Sequence, residues 1–123
     1  MAKILIIDDD PNILRMLGFL LVKEGHTVSV ARDGQSGIEM AREEWPDLII
    51  LDVMMPGMDG FCVSGALFKD PEMRRIPILV LTAKGSSREI FKLVPNVVHY
   101  MDKPFDPDDL VKNVRQLLFP PKS

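Results

Sequence analysis

Three short apolar runs recur along the chain with no polar alternation: Ile4-Leu5-Ile6-Ile7, Leu48-Ile49-Ile50-Leu51 and Ile78-Leu79-Val80-Leu81. A strand with one wet face alternates polar and apolar residues. A run without alternation is buried on both faces, as a parallel strand is between two layers of helices. Each run delivers an oxygen-bearing side chain at its end, namely Asp8, Asp52 and Thr82. The run ending in Asp52 is followed at once by a loop rich in Pro and Gly, Met54-Met55-Pro56-Gly57-Met58-Asp59-Gly60. A carboxylate at the carboxyl end of a central parallel strand stands where open α/β sheets bind ligands.

Helical patterns separate the strands. Asp10-Pro11 reads as an N-cap followed by Pro at the first helical position. Ile13, Leu17, Leu20 and Leu21 then fall on one side at helical spacing, and Gly25 stops the helix. His26 to Ala31 is a short strand whose Val28 and Val30 alternate, which places it nearer a sheet edge. Asp33-Gly34 opens a second helix with Ile38, Ala41 and Trp45 inward, and Pro46 ends it. Phe61 to Lys69 is a third helix carrying Val63, Ala66 and Leu67 on one face, broken by Asp70-Pro71. After the strand Pro77–Thr82, Ser86 and Glu89 form a capping box for a short fourth helix limited by Pro95. Val97 to Met101 is the fifth strand. Asp106 caps the fifth helix, Pro107 fills its first turn, and Asp108 and Asp109 suit its positive end. Leu110, Val114, Leu117 and Leu118 make the apolar stripe.

Strand and helix thus alternate five times. That implies right-handed crossovers and a doubly wound parallel sheet with helices on both faces. Five strands suit a flavodoxin-like (βα)5 order, 2-1-3-4-5, which periodicity alone does not fix. With 123 residues the chain supports one domain with one core. The reading assigns 1–119 to that domain and 120–123 to a tail or the start of a linker. The net charge of −3 argues against gripping a nucleic acid backbone by bulk charge. No apolar run is long enough to span a bilayer, and no secretory signal opens the chain. The single cysteine, Cys62, reads as a small apolar filler and fits a reducing, cytoplasmic setting. His26 and His99 read as structural or solvent-facing.

In a parallel sheet all strand C-termini share one edge. Asp8 and Asp9, Asp52, Thr82 and Lys103 therefore gather there. Carboxylates this close repel one another unless a cation intervenes. Mg²⁺ answers that need, because it takes oxygen ligands and is satisfied by one or two carboxylates with waters or phosphate oxygens. Lys103 adds a mobile positive charge for an anion, and Thr82 a hydroxyl donor. Such a site can hold a phosphoryl group at Asp52, whose carboxylate can serve as a nucleophile. The protein's share of the work is positioning and charge neutralisation.

With these residues in place, the sequence resembles the receiver domain of two-component response regulators from Lys3 to about Leu118. The matching motifs are Ile6-Ile7-Asp8-Asp9-Asp10, Asp52-Val53-Met54-Met55-Pro56-Gly57-Met58-Asp59-Gly60, Leu81-Thr82-Ala83 and Lys103-Pro104-Phe105. The resemblance implies that Asp52 accepts a phosphoryl group from a phosphohistidine on a sensor histidine kinase or histidine phosphotransfer protein. It implies Mg²⁺ on Asp9, Asp52 and the backbone carbonyl of Met54, with Asp8 acting mainly through a metal-bound water. Lys103 would pair with phosphoryl oxygens. Thr82 would hydrogen-bond the phosphoryl group, and Tyr100 would turn inward as Thr82 moves. The Lys103-Pro104 bond matches the family's cis peptide. The output is an unknown domain or target protein met through the face of the fourth helix, fifth strand and fifth helix, with a phosphorylation-dependent dimer also allowed. The resemblance implies no nucleic acid binding by this domain, no membrane and no turnover enzyme. Catalysis is confined to the domain's own phosphorylation and dephosphorylation.

The segment from Lys84 to His99 departs from the family, with Pro95-Asn96-Val97-Val98 where Gly-Ala usually precedes the fifth strand. It motivates an alternative, a receiver-like protein-binding module that does not switch through phosphate. A haloacid-dehalogenase-like phosphatase would want a second acid two residues after the nucleophile, where Met54 stands. A flavodoxin-like electron carrier would want a hydroxyl-rich loop where Asp8-Asp9-Asp10 stands.

Overall fold

The computed structural model of the chain describes residues 2–53, 60–83 and 94–119. Its sheet has five parallel strands, β1 (Lys3–Ile7), β2 (Thr27–Ala31), β3 (Leu48–Asp52), β4 (Ile78–Ala83) and β5 (Val97–Lys103), in the order β2-β1-β3-β4-β5. The helices among the described residues are α1 (Pro11–Lys23), α2 (Gly34–Glu44), α3 (Gly60–Lys69) and α4 (Pro107–Leu118), with a 3-10 turn at Met73–Arg75. Here α4 is the fifth helix of the sequence reading. The expected fourth helix, from Ser86, lies outside the described residues, as do the Met54–Asp59 loop and the tail 120–123.

The period of two along each strand builds both layers. Leu5 and Ile7 of β1, Ile49 and Leu51 of β3, and Ile78 and Val80 of β4 pack with Ile38 and Ala41 of α2 and Val63 and Leu67 of α3. The intervening Ile4, Ile6, Leu48, Ile50, Leu79 and Leu81 pack with Leu14, Leu17 and Leu21 of α1 and Leu110 and Val114 of α4. Each fully buried Leu or Ile contributes about 1.5–3 kcal/mol relative to exposure. The three central strands, buried on both faces, are therefore the rigid part, and their ends are fixed mounts. Strand β2 lies at one edge, as expected, but it exposes Thr27 and Val30, three residues apart, rather than alternate positions.

Helix starts follow the short acidic caps. Asp10, Asp33 and Asp106 each accept a hydrogen bond from a first-turn backbone N–H, of Asn12, Ser36 and Asp108. This satisfies donors that have no partner within the helix. Gly25, at φ +94°, turns the chain after α1.

Several expectations are corrected. Trp45 is not inward but exposed. It is the C-cap of α2 with a left-handed backbone (φ 52°), so it leaves the helical phase that would have carried it to the core. Gly34, Gly37, Ile38 and Ala41 form the buried face instead. Leu14 takes a core place in α1, whereas Ile13 and Leu20 are only partly buried. Cys62 is exposed rather than a filler. Strand β5 runs on through Lys103, because the parallel pairing continues from Leu81↔Met101 to Thr82↔Asp102 and Ala83↔Lys103. Among the described residues no helix is long and apolar enough to cross a membrane.

Candidate phosphoryl and metal site

The strand parity that builds the core also sorts the site. Asp52 continues the side of β3 that carries Leu48 and Ile50, and Lys103 the side of β5 that carries Met101. These two therefore project towards the α1 and α4 layer. Thr82 follows Val80, and Asp102 follows Tyr100, on the opposite side.

Asp8 and Asp52 are buried, and Asp9 is half-buried beside them. One carboxylate oxygen from each of the three lies within 4.8 Å of the others. The Lys103 ammonium bridges two of them, 3.1 Å from Asp8 Oδ2 and 3.3 Å from Asp52 Oδ1. The other oxygen of Asp8, Oδ1, accepts from the Asp10 amide at 2.9 Å. Burial pulls the Lys103 pKa down, but the hydrogen bond to Asp8 and the charges of Asp52 and Asp8 outweigh it and hold the ammonium above its ordinary value. Among the described residues one cation thus faces three acids in a low-dielectric setting. A set of hard oxygen donors with that balance fits Mg²⁺, which asks for few protein ligands and keeps waters.

The structure brings Asp8, Asp9, Asp52 and Lys103 into one cluster. It places Thr82 one strand over, buried, with its hydroxyl donating to Asp102 Oδ1 at 2.6 Å and more weakly to the Met101 carbonyl at 3.4 Å. Tyr100 is half-buried against the α2 and α3 layer. The Lys103-Pro104 peptide is cis, and Phe105 packs on the α1 and α4 layer. The carbonyl assigned to Met54 lies outside the described residues.

Two further residues belong to the site. Gly60 begins α3 by folding back on the end of β3, its N–H donating to the Val53 carbonyl at 3.0 Å. A Cβ there would lie 2.7 Å from Val53 Cα and 3.0 Å from the Asp52 carbonyl oxygen, so only glycine permits the approach. Asp102 is the residue that sequence reading passed over. Its signal was present, since it directly precedes Lys103, but its pairing with Thr82 follows only once β5 extends beyond Met101.

Comparison with known proteins bears on the family and the fold. The family profile described as response regulator receiver domain matches residues 4–115. Protein PilH of Pseudomonas aeruginosa is 36% identical over 119 residues, covering 96% of this chain and 98% of that protein. Response regulator PleD of Caulobacter vibrioides is 42% identical over 117 residues, of which this chain spans only 26% of the length. Among solved structures, chemotaxis response regulator CheY4 of Vibrio cholerae superposes with a TM-score of 0.90 at 34% identity, covering 96% of this chain and 99% of that one.

Proposed function

The chain belongs to the response regulator receiver domain family, the receiver modules of two-component signalling, and from that premise we propose that it is a phosphoacceptor switch charged at Asp52. The observation that carries this reading is the ammonium of Lys103 set between two buried carboxylates, with a third carboxylate at hand.

In the proposed reaction an Asp52 carboxylate oxygen attacks phosphorus of a phosphohistidine on a sensor kinase or phosphotransfer protein. An O–P bond forms, the P–N bond breaks, and the departing imidazole nitrogen takes a proton from solvent. Lys103 turns from the carboxylates to the transferred phosphoryl oxygens, which are the stronger anion. Thr82 offers its hydroxyl proton to one of them. Asp9, Asp52 and the Met54 carbonyl would hold Mg²⁺, Asp8 acting mainly through water, and the ion would supply charge neutralisation for the phosphoryl oxygens. Thr82 and Tyr100 then carry the change to the surface of the fourth helix, β5 and α4, where an output domain or target protein reads it. The unit that switches is residues 1–119, acting in the cytoplasm where kinases have their nucleotide. Hydrolysis of the aspartyl phosphate resets it, so the domain processes its own phosphate and no other substrate.

Incubation with Mg²⁺ and acetyl phosphate tests this directly. Intact-mass measurement should show one added phosphate in the wild type and none in Asp52→Ala. A wild type that gains no phosphate would refute the reading.

A further inference from the structure

Thr82 has one hydroxyl proton, and in this structure that proton goes to a carboxylate. The Oγ1 to Asp102 Oδ1 distance is 2.6 Å, the range of a charge-assisted O–H···O⁻ bond. The pairing is built into the sheet. Thr82 and Asp102 are register partners across β4 and β5, and both side chains stand on the face that also carries Tyr100. Its neighbour Lys103 points to the other side and holds Asp8 and Asp52. Two adjacent residues of one strand thus engage the two halves of the site separately.

A carboxylate accepts hydrogen bonds and donates none, so Asp102 competes directly with any phosphoryl oxygen for the Thr82 proton. That competition favours the arrangement seen here. Building on the phosphoacceptor reading above, we infer that Asp102 is a positioning residue that latches Thr82 in the uncharged state. It sets how much of the phosphoryl binding free energy is spent in releasing that hydroxyl. A phosphoryl group on Asp52 must outbid Asp102 before Thr82 and Tyr100 move.

Beryllofluoride, an acyl-phosphate mimic, provides the test when its Mg²⁺-dependent binding is followed by fluorine NMR. Asp102→Ala should bind it about tenfold more tightly than wild type, the order set by one charge-assisted hydrogen bond. Asp102→Asn keeps an acceptor oxygen without the charge and should fall between. In a Thr82→Ala background the Asp102→Ala change should shift affinity by less than about twofold, since nothing is left to latch. Mg²⁺ affinity without beryllofluoride should be the same in all five proteins, which also verifies folding. If Asp102→Ala binds no more tightly than wild type, or gains equally with and without the Thr82 hydroxyl, the latch is wrong and Asp102 acts at most as a distant charge. A wild type that binds no beryllofluoride and gains no phosphate from acetyl phosphate overturns the phosphoacceptor reading itself.

Discussion

Lys103 Nζ lies 3.1 Å from Oδ2 of Asp8, a residue with no exposed surface, although the two are 95 positions apart in the chain. This ion pair joins the end of β5 to the end of β1 across the strands between them. It also stands in for part of the charge that a divalent cation would bring. Lysine and cation therefore compete for the same carboxylates, and the competition has measurable consequences.

Replacing Lys103 with Met removes the ammonium that pairs with the buried Asp8 and Asp52. Breaking a buried pair from one side costs about 3–5 kcal/mol when fully enclosed. The Lys103 side chain is 27% exposed, so water screens part of the loss, and about 1–3 kcal/mol is expected. Mg²⁺ should restore more stability to this variant than to wild type, because it enters a more negative site. Thermal unfolding with and without Mg²⁺ checks both statements. Equal Mg²⁺ responses in the two proteins would count against the competition.

Gly60 and Gly65 occupy the same helix but differ in what a methyl group would meet. At Gly60 it would collide with the backbone of Val53 and Asp52, which cannot yield as a side chain tip can. Gly60→Ala should destabilise by about 1–3 kcal/mol and, by shifting the end of β3, also slow phosphorylation of Asp52. At Gly65 nothing lies within 4 Å, so Gly65→Ala should stabilise by about 0.5–1 kcal/mol through helix propensity alone. Urea unfolding and the acetyl phosphate rate separate the two. A Gly60→Ala protein with wild-type phosphorylation would show that the Asp52 mount tolerates the shift.

The contrast between these positions marks what was legible in the sequence. Unalternating runs announced the doubly buried strands, and Asp10, Asp33 and Asp106 announced their helix starts, because both signals are local. The acids, Thr82 and Lys103 were legible because strand ends of a parallel sheet share one edge. Trp45 was misplaced because a left-handed cap breaks helical phase, and nothing in its neighbours declares that. Asp102 stayed hidden for a related reason. Its partner lies 20 residues away, and only the register of β4 with β5 brings the two together.

His26 gives the fold a pH response outside the site. Its Nδ1 accepts from the Ala2 amide at 3.2 Å, which requires the neutral ring. Burial lowers its pKa from 6.5, the positive N-terminus adds to this, Glu24 opposes it, and Arg115 adds a smaller push downward. The unfolded chain therefore takes up the proton first. The stabilising contribution is complete above 6.5 and is lost as pH falls through the lower folded value. The effect should be under about 1 kcal/mol, since the ring is partly solvated. Urea unfolding about one pH unit either side of the ordinary value should show it in wild type and much less in His26→Ala. The same slope in both proteins would place the response elsewhere.

Removing divalent ions should stop the chemistry without unfolding the domain. The central strands are held by apolar burial on both faces, and Lys103 already pairs with Asp8 and Asp52, so the fold does not wait for a metal. Phosphoryl transfer is different, because an incoming dianion meets, among the described residues, three carboxylates and one ammonium. With a chelator present, acetyl phosphate should add no phosphate to Asp52, while circular dichroism stays that of the folded protein. The melting temperature should drop only by the linkage amount set by Mg²⁺ affinity and concentration. Asp9→Asn removes a proposed ligand that makes no contact with Lys103 within ion-pair distance, so it should weaken Mg²⁺ binding roughly tenfold or more with little loss of stability. Wild-type phosphorylation in the chelated sample would show that Lys103 alone neutralises enough charge, and the metal would lose its place in the proposed reaction.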